Sequence, residues 1–139
     1  MIFKEKPDLN FLNQLGKESM TGYLEITYTA IGDDFLEATM PVSPKTKQPF
    51  GLLHGGASVV LAESLGSVAA FLTIDNDKSY AVGLEINANH LRPVKEGMVT
   101  GRAKPIHLGK KTQVWEIKIK DSQDKLSCIS RITLAILQK

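Results

Sequence analysis

Between Pro49 and Ile74 the chain carries a single Asp, Glu, Lys or Arg side chain, Glu63. The run GLLHGGASVVLAESLGSVAAFLTI has no proline, and small or aliphatic residues occupy nearly every face of it when wound as a helix. A segment of this kind is unstable in water. It predicts a long helix over 54–74, buried on all sides, around which the rest of the chain is arranged. A carboxylate placed there loses hydration, and no cation lies within a helical turn of Glu63 to compensate. Glu63 is therefore a candidate functional residue on physical grounds alone.

The flanking sequence supplies what such a helix packs against. Residues 8–16 read as a short helix capped by Asp8 and ended by Gly16, carrying Phe11, Leu12 and Leu15. Residues 22–31 alternate, with Leu24, Ile26, Tyr28 and Ala30 on one face, and predict a strand whose hairpin partner is 35–42 across Gly32-Asp33-Asp34. A loop with two prolines and a glycine fills 43–53. After the helix come four more strands, 79–90, 99–107, 112–121 and 125–137, with antiparallel connections around Lys95-Glu96-Gly97, Leu108-Gly109-Lys110 and Ser122-Gln123-Asp124. In the third of these strands Val114, Glu116, Lys118 and Lys120 alternate against Trp115, Ile117 and Ile119, giving one solvated face. Two strands, one apolar helix and four strands predict an α+β fold, an antiparallel sheet wrapped around a central helix.

The chain's 139 residues fit one domain, 1–139, with one core. At 42% hydrophobic and 23% charged residues it has the composition of a folded globular protein rather than a disordered or membrane protein. A net charge of +2 does not call for nucleic acid, although Arg92, Lys95, Arg102, Lys104, Lys110 and Lys111 gather in one stretch as a local basic surface. The single cysteine, Cys128, cannot form an internal disulfide and reads as a buried, inert thiol. The opening MIFKEKPDLN has no apolar signal region, so a cytoplasmic protein is expected. The three histidines lack metal-ligand spacing, and no metal or cofactor is expected. His54-Gly55-Gly56 is unaccompanied by the G-x-S-x-G elbow that lipase chemistry would need.

Gln48-Pro49-Phe50-Gly51-Leu52-Leu53-His54-Gly55-Gly56, followed by Ala62-Glu63-Ser64, resembles the signature of hotdog-fold acyl-CoA thioesterases that use a helix-borne glutamate. The segments Gly83-Leu84-Glu85-Ile86-Asn87-Ala88-Asn89-His90 and Lys104-Pro105-Ile106-His107-Leu108-Gly109 resemble the same subgroup, so the likeness spans nearly the whole chain. That subgroup includes 1,4-dihydroxy-2-naphthoyl-CoA hydrolases and relatives that clear misloaded aryl carrier proteins. The resemblance implies hydrolysis of an aromatic acyl-CoA, first of all 1,4-dihydroxy-2-naphthoyl-CoA in menaquinone biosynthesis. The alternatives are a carrier-protein thioesterase and a non-catalytic acyl-CoA-binding protein.

By the same resemblance Glu63 is general base or nucleophile, and the Gly55 N–H polarises the thioester carbonyl with Gln48 and His54 beside it. The chemistry suits a helix start, where backbone donors are free and glycine lets a carbonyl approach. Ser67 lies one turn beyond Glu63 on the same face, placed to position water or hydrogen-bond the acid. The resemblance further assigns CoA contacts to Gly83, His90, Leu91, Arg92 and Pro93 and to His107, Leu108, Gly109, Lys110, Lys111 and Thr112, with Arg92 and the two lysines suited to phosphate. Phe50, Val68, Phe71 and Leu72 are candidates for the acyl pocket by their position near the motif.

Spacing adds one expectation. Gly55 and Glu63 are eight residues apart, or roughly 12 Å along a helix rising 1.5 Å per residue, whereas reacting groups meet at roughly 3 Å. Two antiparallel copies of the helix would bring Gly55 of one to Glu63 of the other. A homodimer with shared sites follows, and relatives of this type often pair dimers into a tetramer.

Overall fold

A computed structural model describes residues 1–4 and 8–139. Two short helices, α1 (Leu9–Leu15) and α2 (Met20–Tyr23), precede strands β1 (Thr27–Ile31) and β2 (Leu36–Pro41); the long helix α3 (Gly55–Thr73) follows, then β3 (Ser79–His90), β4 (Met98–Leu108), β5 (Thr112–Lys120) and β6 (Leu126–Gln138). Asp8 caps α1, its carboxylate accepting the Asn10 N–H at 3.0 Å. Asn13 of α1 clamps the backbone of Tyr28, accepting its N–H at 2.8 Å and donating to its carbonyl at 3.1 Å. Burial pushes the Tyr28 phenol up to about 12, so it stays protonated and donates to the Ser64 carbonyl on α3 at 3.4 Å.

The predicted strand over 22–31 is shorter than its alternation suggests. Only Thr27–Ile31 pairs with β2, and Met20–Tyr23 is helical. Gly22 allows this, because a methyl there would lie 2.2 Å from the Lys17 carbonyl oxygen. Glu25, at φ 59°, then turns the chain into the strand. Ile26 and Tyr28 still face the core as the alternation required.

All strand pairings are antiparallel, in the order β1-β2-β4-β5-β6-β3. The connection around Lys95-Glu96-Gly97 is therefore no hairpin. β3 pairs with β6, and residues 91–97 cross the end of the sheet to reach β4, because alternation fixes which face a residue takes but not which strand lies beside it. The crossover is tied down by the Leu91 N–H on the Ser127 carbonyl (2.8 Å) and by the Leu53 N–H on the Val94 carbonyl (2.8 Å). It forms one wall of the pocket described below.

Helix α3 lies against one face of the sheet, with Ala57, Leu61, Ala62, Leu65, Gly66, Ala69 and Ala70 turned inward. They meet Leu36, Met40, Trp115, Ile117, Ile119, Ile132 and Leu134, all fully buried. Each such leucine or isoleucine contributes about 1.5–3 kcal/mol. Gly66 lets the surfaces close, since a methyl there would sit 2.5 Å from Ile132 Cγ2. The far end of the helix is pinned by a buried polar chain: Trp115 Nε1 donates to Gln113 Oε1 at 2.9 Å, and Gln113 Nε2 donates to Thr73 Oγ1 at 2.8 Å.

The expectation of a helix buried on all sides is corrected. Within one chain the opposite face of α3 is open: Glu63 is exposed, Phe71 is 38% exposed, and Val60 and Val68 are only partly covered. An apolar sequence reports that a face is to be covered, not that the same chain covers it. Beside this face runs β3, one of the two outer strands of the sheet, with Tyr80, Val82 and Leu84 exposed.

Candidate active site

Three segments converge at the start of α3: the loop 43–53, the end of β3 and the crossover. Between them is a pocket of about 380 Å³ that includes Gln48, Leu53, Gly55, Ser58, His90, Leu91, Arg92 and Pro93 in its lining. The loop is organised by Thr46, buried and unmarked by any sequence motif. Its hydroxyl donates to the Pro41 carbonyl (2.8 Å) and accepts the Ser43 N–H (3.0 Å), while its own carbonyl accepts the His54 N–H (2.8 Å). Gln48 Oε1 accepts the Phe50 N–H, which fixes the side chain and leaves its amide donors for the pocket.

His54 caps the helix rather than beginning it. Its Nδ1 accepts the Gly56 N–H at 2.8 Å, and its carbonyl accepts the N–H groups of Ala57 (3.0 Å) and Ser58 (3.2 Å). Among the described residues, the Gly55 N–H is the one first-turn donor left without an acceptor, and Gly55 lines the pocket. The His90 ring lies directly over it, its Nε2 2.8 Å from where a methyl on Gly55 would be. A free donor at a helix start, a second amide donor and an open approach make an anion-stabilising corner.

Glu63 stands apart from this corner, on the outward face of α3, without a hydrogen bond or ion pair among the described residues. Gly83 lies beside it, where a methyl would come within 3.3 Å of Glu63 Oε1. Ser67 follows one turn later, half-buried. The hairpin holding residues 107–112 is closed by the Gly109 N–H on the Thr112 carbonyl at 2.9 Å. Gly83 and Gln113 flank Leu134 of β6 from opposite sides, about 10 Å apart at two strand spacings. His90 instead pairs with Cys128, six residues along β6 from Leu134, roughly 20 Å away at 3.4 Å per residue.

One chain therefore holds the candidate residues in two separate groups. The first gathers Gln48, His54, Gly55, His90, Leu91, Arg92 and Pro93; the second holds Glu63, Ser67 and Gly83, with the 107–112 hairpin two strands across the sheet from Gly83. Of the acyl-pocket candidates, Val68 and Phe71 lie on the open face, Phe50 is 90% exposed, and Leu72 is turned into the core. The basic stretch is likewise divided. Arg102 and Lys104 pair with Glu37 (3.2 Å) and Asp34 (3.1 Å), whereas Arg92, Lys95, Lys110 and Lys111 have no ion pair among the described residues. Burial holds the Cys128 thiol above its ordinary range, as expected of an inert cysteine.

The profile of the thioesterase superfamily matches residues 50–128, which take in the helix and every candidate residue of the two groups except Gln48. The chain belongs to this superfamily. It is 58% identical to the 1,4-dihydroxy-2-naphthoyl-CoA hydrolase of Escherichia coli K12 over 137 residues, 99% of this chain and 100% of that protein. It is 52% identical to the proofreading thioesterase EntH of Cronobacter sakazakii, over 99% of each chain. A crystal structure of a mutant of thioesterase PA1618 from Pseudomonas aeruginosa superposes with a TM-score of 0.99 at 50% identity, covering both chains completely. The fold is thus the hotdog fold expected from the sequence, and the protein is a thioester hydrolase.

Proposed function

We propose that this thioesterase hydrolyses an aromatic acyl-CoA, with 1,4-dihydroxy-2-naphthoyl-CoA the first candidate, at sites shared between two antiparallel copies of the chain. The observation that carries the reading is the separation of the two half-sites. The free Gly55 N–H opens into the pocket, while Glu63 lies eight residues further along the same helix on its uncovered face. Pairing across α3 and the exposed strand β3 covers the apolar residues there, satisfies a long sheet edge, and brings complementary halves together by two-fold symmetry.

In such a site the thioester oxygen takes hydrogen bonds from the Gly55 N–H and the Gln48 amide, which stabilise it as it becomes negative. Glu63 of the partner subunit approaches the carbonyl carbon from the other side. As general base it takes a proton from water while the water oxygen bonds to carbon; as nucleophile it forms an anhydride that water then opens. Either way the carbon–sulfur bond breaks and the sulfur leaves as thiolate, to be protonated from solvent. Arg92 and the Lys110-Lys111 pair suit the CoA phosphates.

Identity of 58% over the full length to the Escherichia coli hydrolase supports the naphthoyl-CoA reading. The 52% identity to the proofreading thioesterase EntH supports a second one, an aroyl group borne on a carrier protein. Thiol release from matched aroyl-CoA, aliphatic acyl-CoA and aroyl-carrier-protein substrates, with Glu63→Ala beside the wild type, tests both. The proposal expects aroyl-CoA to be the best substrate, with its turnover lost in the variant. A preference for aliphatic acyl groups contradicts it, and a preference for the carrier-protein thioester selects the second reading.

A further inference from the structure

Ser58 sits one helical turn beyond Gly55, on the same face of α3, and lines the same pocket. The residue is 3% exposed, yet its hydroxyl takes part in no hydrogen bond among the described residues. A buried hydroxyl without a partner is costly and uncommon. No side-chain oxygen or nitrogen sealed from the surface lacks a partner among the described residues, so the Ser58 oxygen opens into the pocket instead. Around it Leu52, Leu53, Leu91 and Val94 supply apolar walls. Ser127 also lines the pocket, but its hydroxyl donates to the Ile119 carbonyl at 3.1 Å, which leaves the Ser58 hydroxyl as the free hydrogen-bonding point among these leucines for a narrow chain with an isolated polar group.

We infer that Ser58 binds the thiol-side arm of the substrate by hydrogen-bonding the amide nearest the sulfur. The inference rests on the thioesterase site proposed above and extends it to a residue with no assigned role. In a pantetheine thioester two methylenes separate sulfur from that amide, a spacing of about one helical turn. The rise from Gly55 to Ser58 is about 4.5 Å, so a carbonyl held at the Gly55 N–H places the amide beside the Ser58 hydroxyl. The hydroxyl can donate to the amide oxygen or accept from its N–H. Because CoA and carrier proteins present the same arm, the contact serves either substrate.

Two thioesters of one aromatic acid separate this role from a structural one: the N-acetylcysteamine thioester, which has the amide, and the n-pentyl thioester, which has the same length without it. Ser58→Ala, which removes only the hydroxyl, is expected to lower kcat/KM about fivefold on the first and leave the second unchanged. Ser58→Cys, a weak donor of similar size, follows Ser58→Ala. Equal losses on both thioesters, or no loss on either, overturn the inference while leaving the site intact. Failure of the wild type to turn over either thioester overturns the site assignment, and this contact with it.

Discussion

The His90 imidazole rests on Gly55 so closely that a single methyl group added to the glycine would come within 2.8 Å of His90 Nε2. The bare glycine leaves its N–H reachable from the pocket, and the ring closes one side of that approach. Gly55→Ala is expected to displace the ring and obstruct the carbonyl, lowering kcat/KM about 100-fold, the scale of one oxyanion donor. Stability should change by less than about 1 kcal/mol, because alanine improves helix propensity at the same position. Steady-state kinetics beside a urea melt check the pair of outcomes.

Glu63 makes no hydrogen bond or ion pair among the described residues that its removal would break. Glu63→Gln, which keeps the shape and removes the charge, should lower kcat about 10³-fold, in the range of a lost general base. The melting temperature should hold or rise. A fall in melting temperature of several degrees with activity retained would make the acid structural.

Gly66 sets how closely the helix approaches the sheet. A methyl there would lie 2.5 Å from Ile132 Cγ2, in a fully buried layer. Overpacking costs about 1–3 kcal/mol, against about 1 kcal/mol gained in helix propensity. Gly66→Ala is therefore expected to destabilise, seen as a lower urea midpoint at unchanged slope.

Cys128 is 1% exposed, and burial raises its pKa, which suppresses the reactive thiolate. An aromatic disulfide reagent at pH 8 should label the native protein slowly and the urea-unfolded protein at once. Rapid native labelling would mean that β6 opens locally.

Much of this arrangement is legible in the sequence. The helix over 55–73 announces itself by its apolar run, β5 by its alternation and the other late strands by the turn residues between them, because an apolar pattern reports which side of an element is to be covered. Three things are hidden by the same logic. The four-residue helix at Met20 depends on a close approach between Gly22 and the Lys17 carbonyl, a tertiary fact that leaves the alternation around it undisturbed. The pairing of β3 with β6 concerns neighbours, on which periodicity is silent. The exposure of Glu63 is hidden because an apolar run reports that a face is to be covered, not by what. Among the candidate site residues, Gln48, Gly55 and His90, which the resemblance singles out, meet in one pocket. Thr46, whose hydroxyl and carbonyl both bond to loop backbone, belongs to no motif, and Ser58, a serine between small apolar residues, reads in sequence as packing.

The shared site is tested most directly by subunit complementation. Glu63→Ala and Gly55→Val each disable one half-site, so each homodimer should be inactive. In a mixture refolded or co-expressed at equal amounts, half the dimers are mixed and each holds one site with both halves intact. Activity should return to about a quarter of the wild-type value, with the mixed dimers verified by native mass spectrometry on differently tagged chains. Mixed dimers that form and stay as inactive as the parents would contradict a site built from Gly55 of one chain and Glu63 of the other.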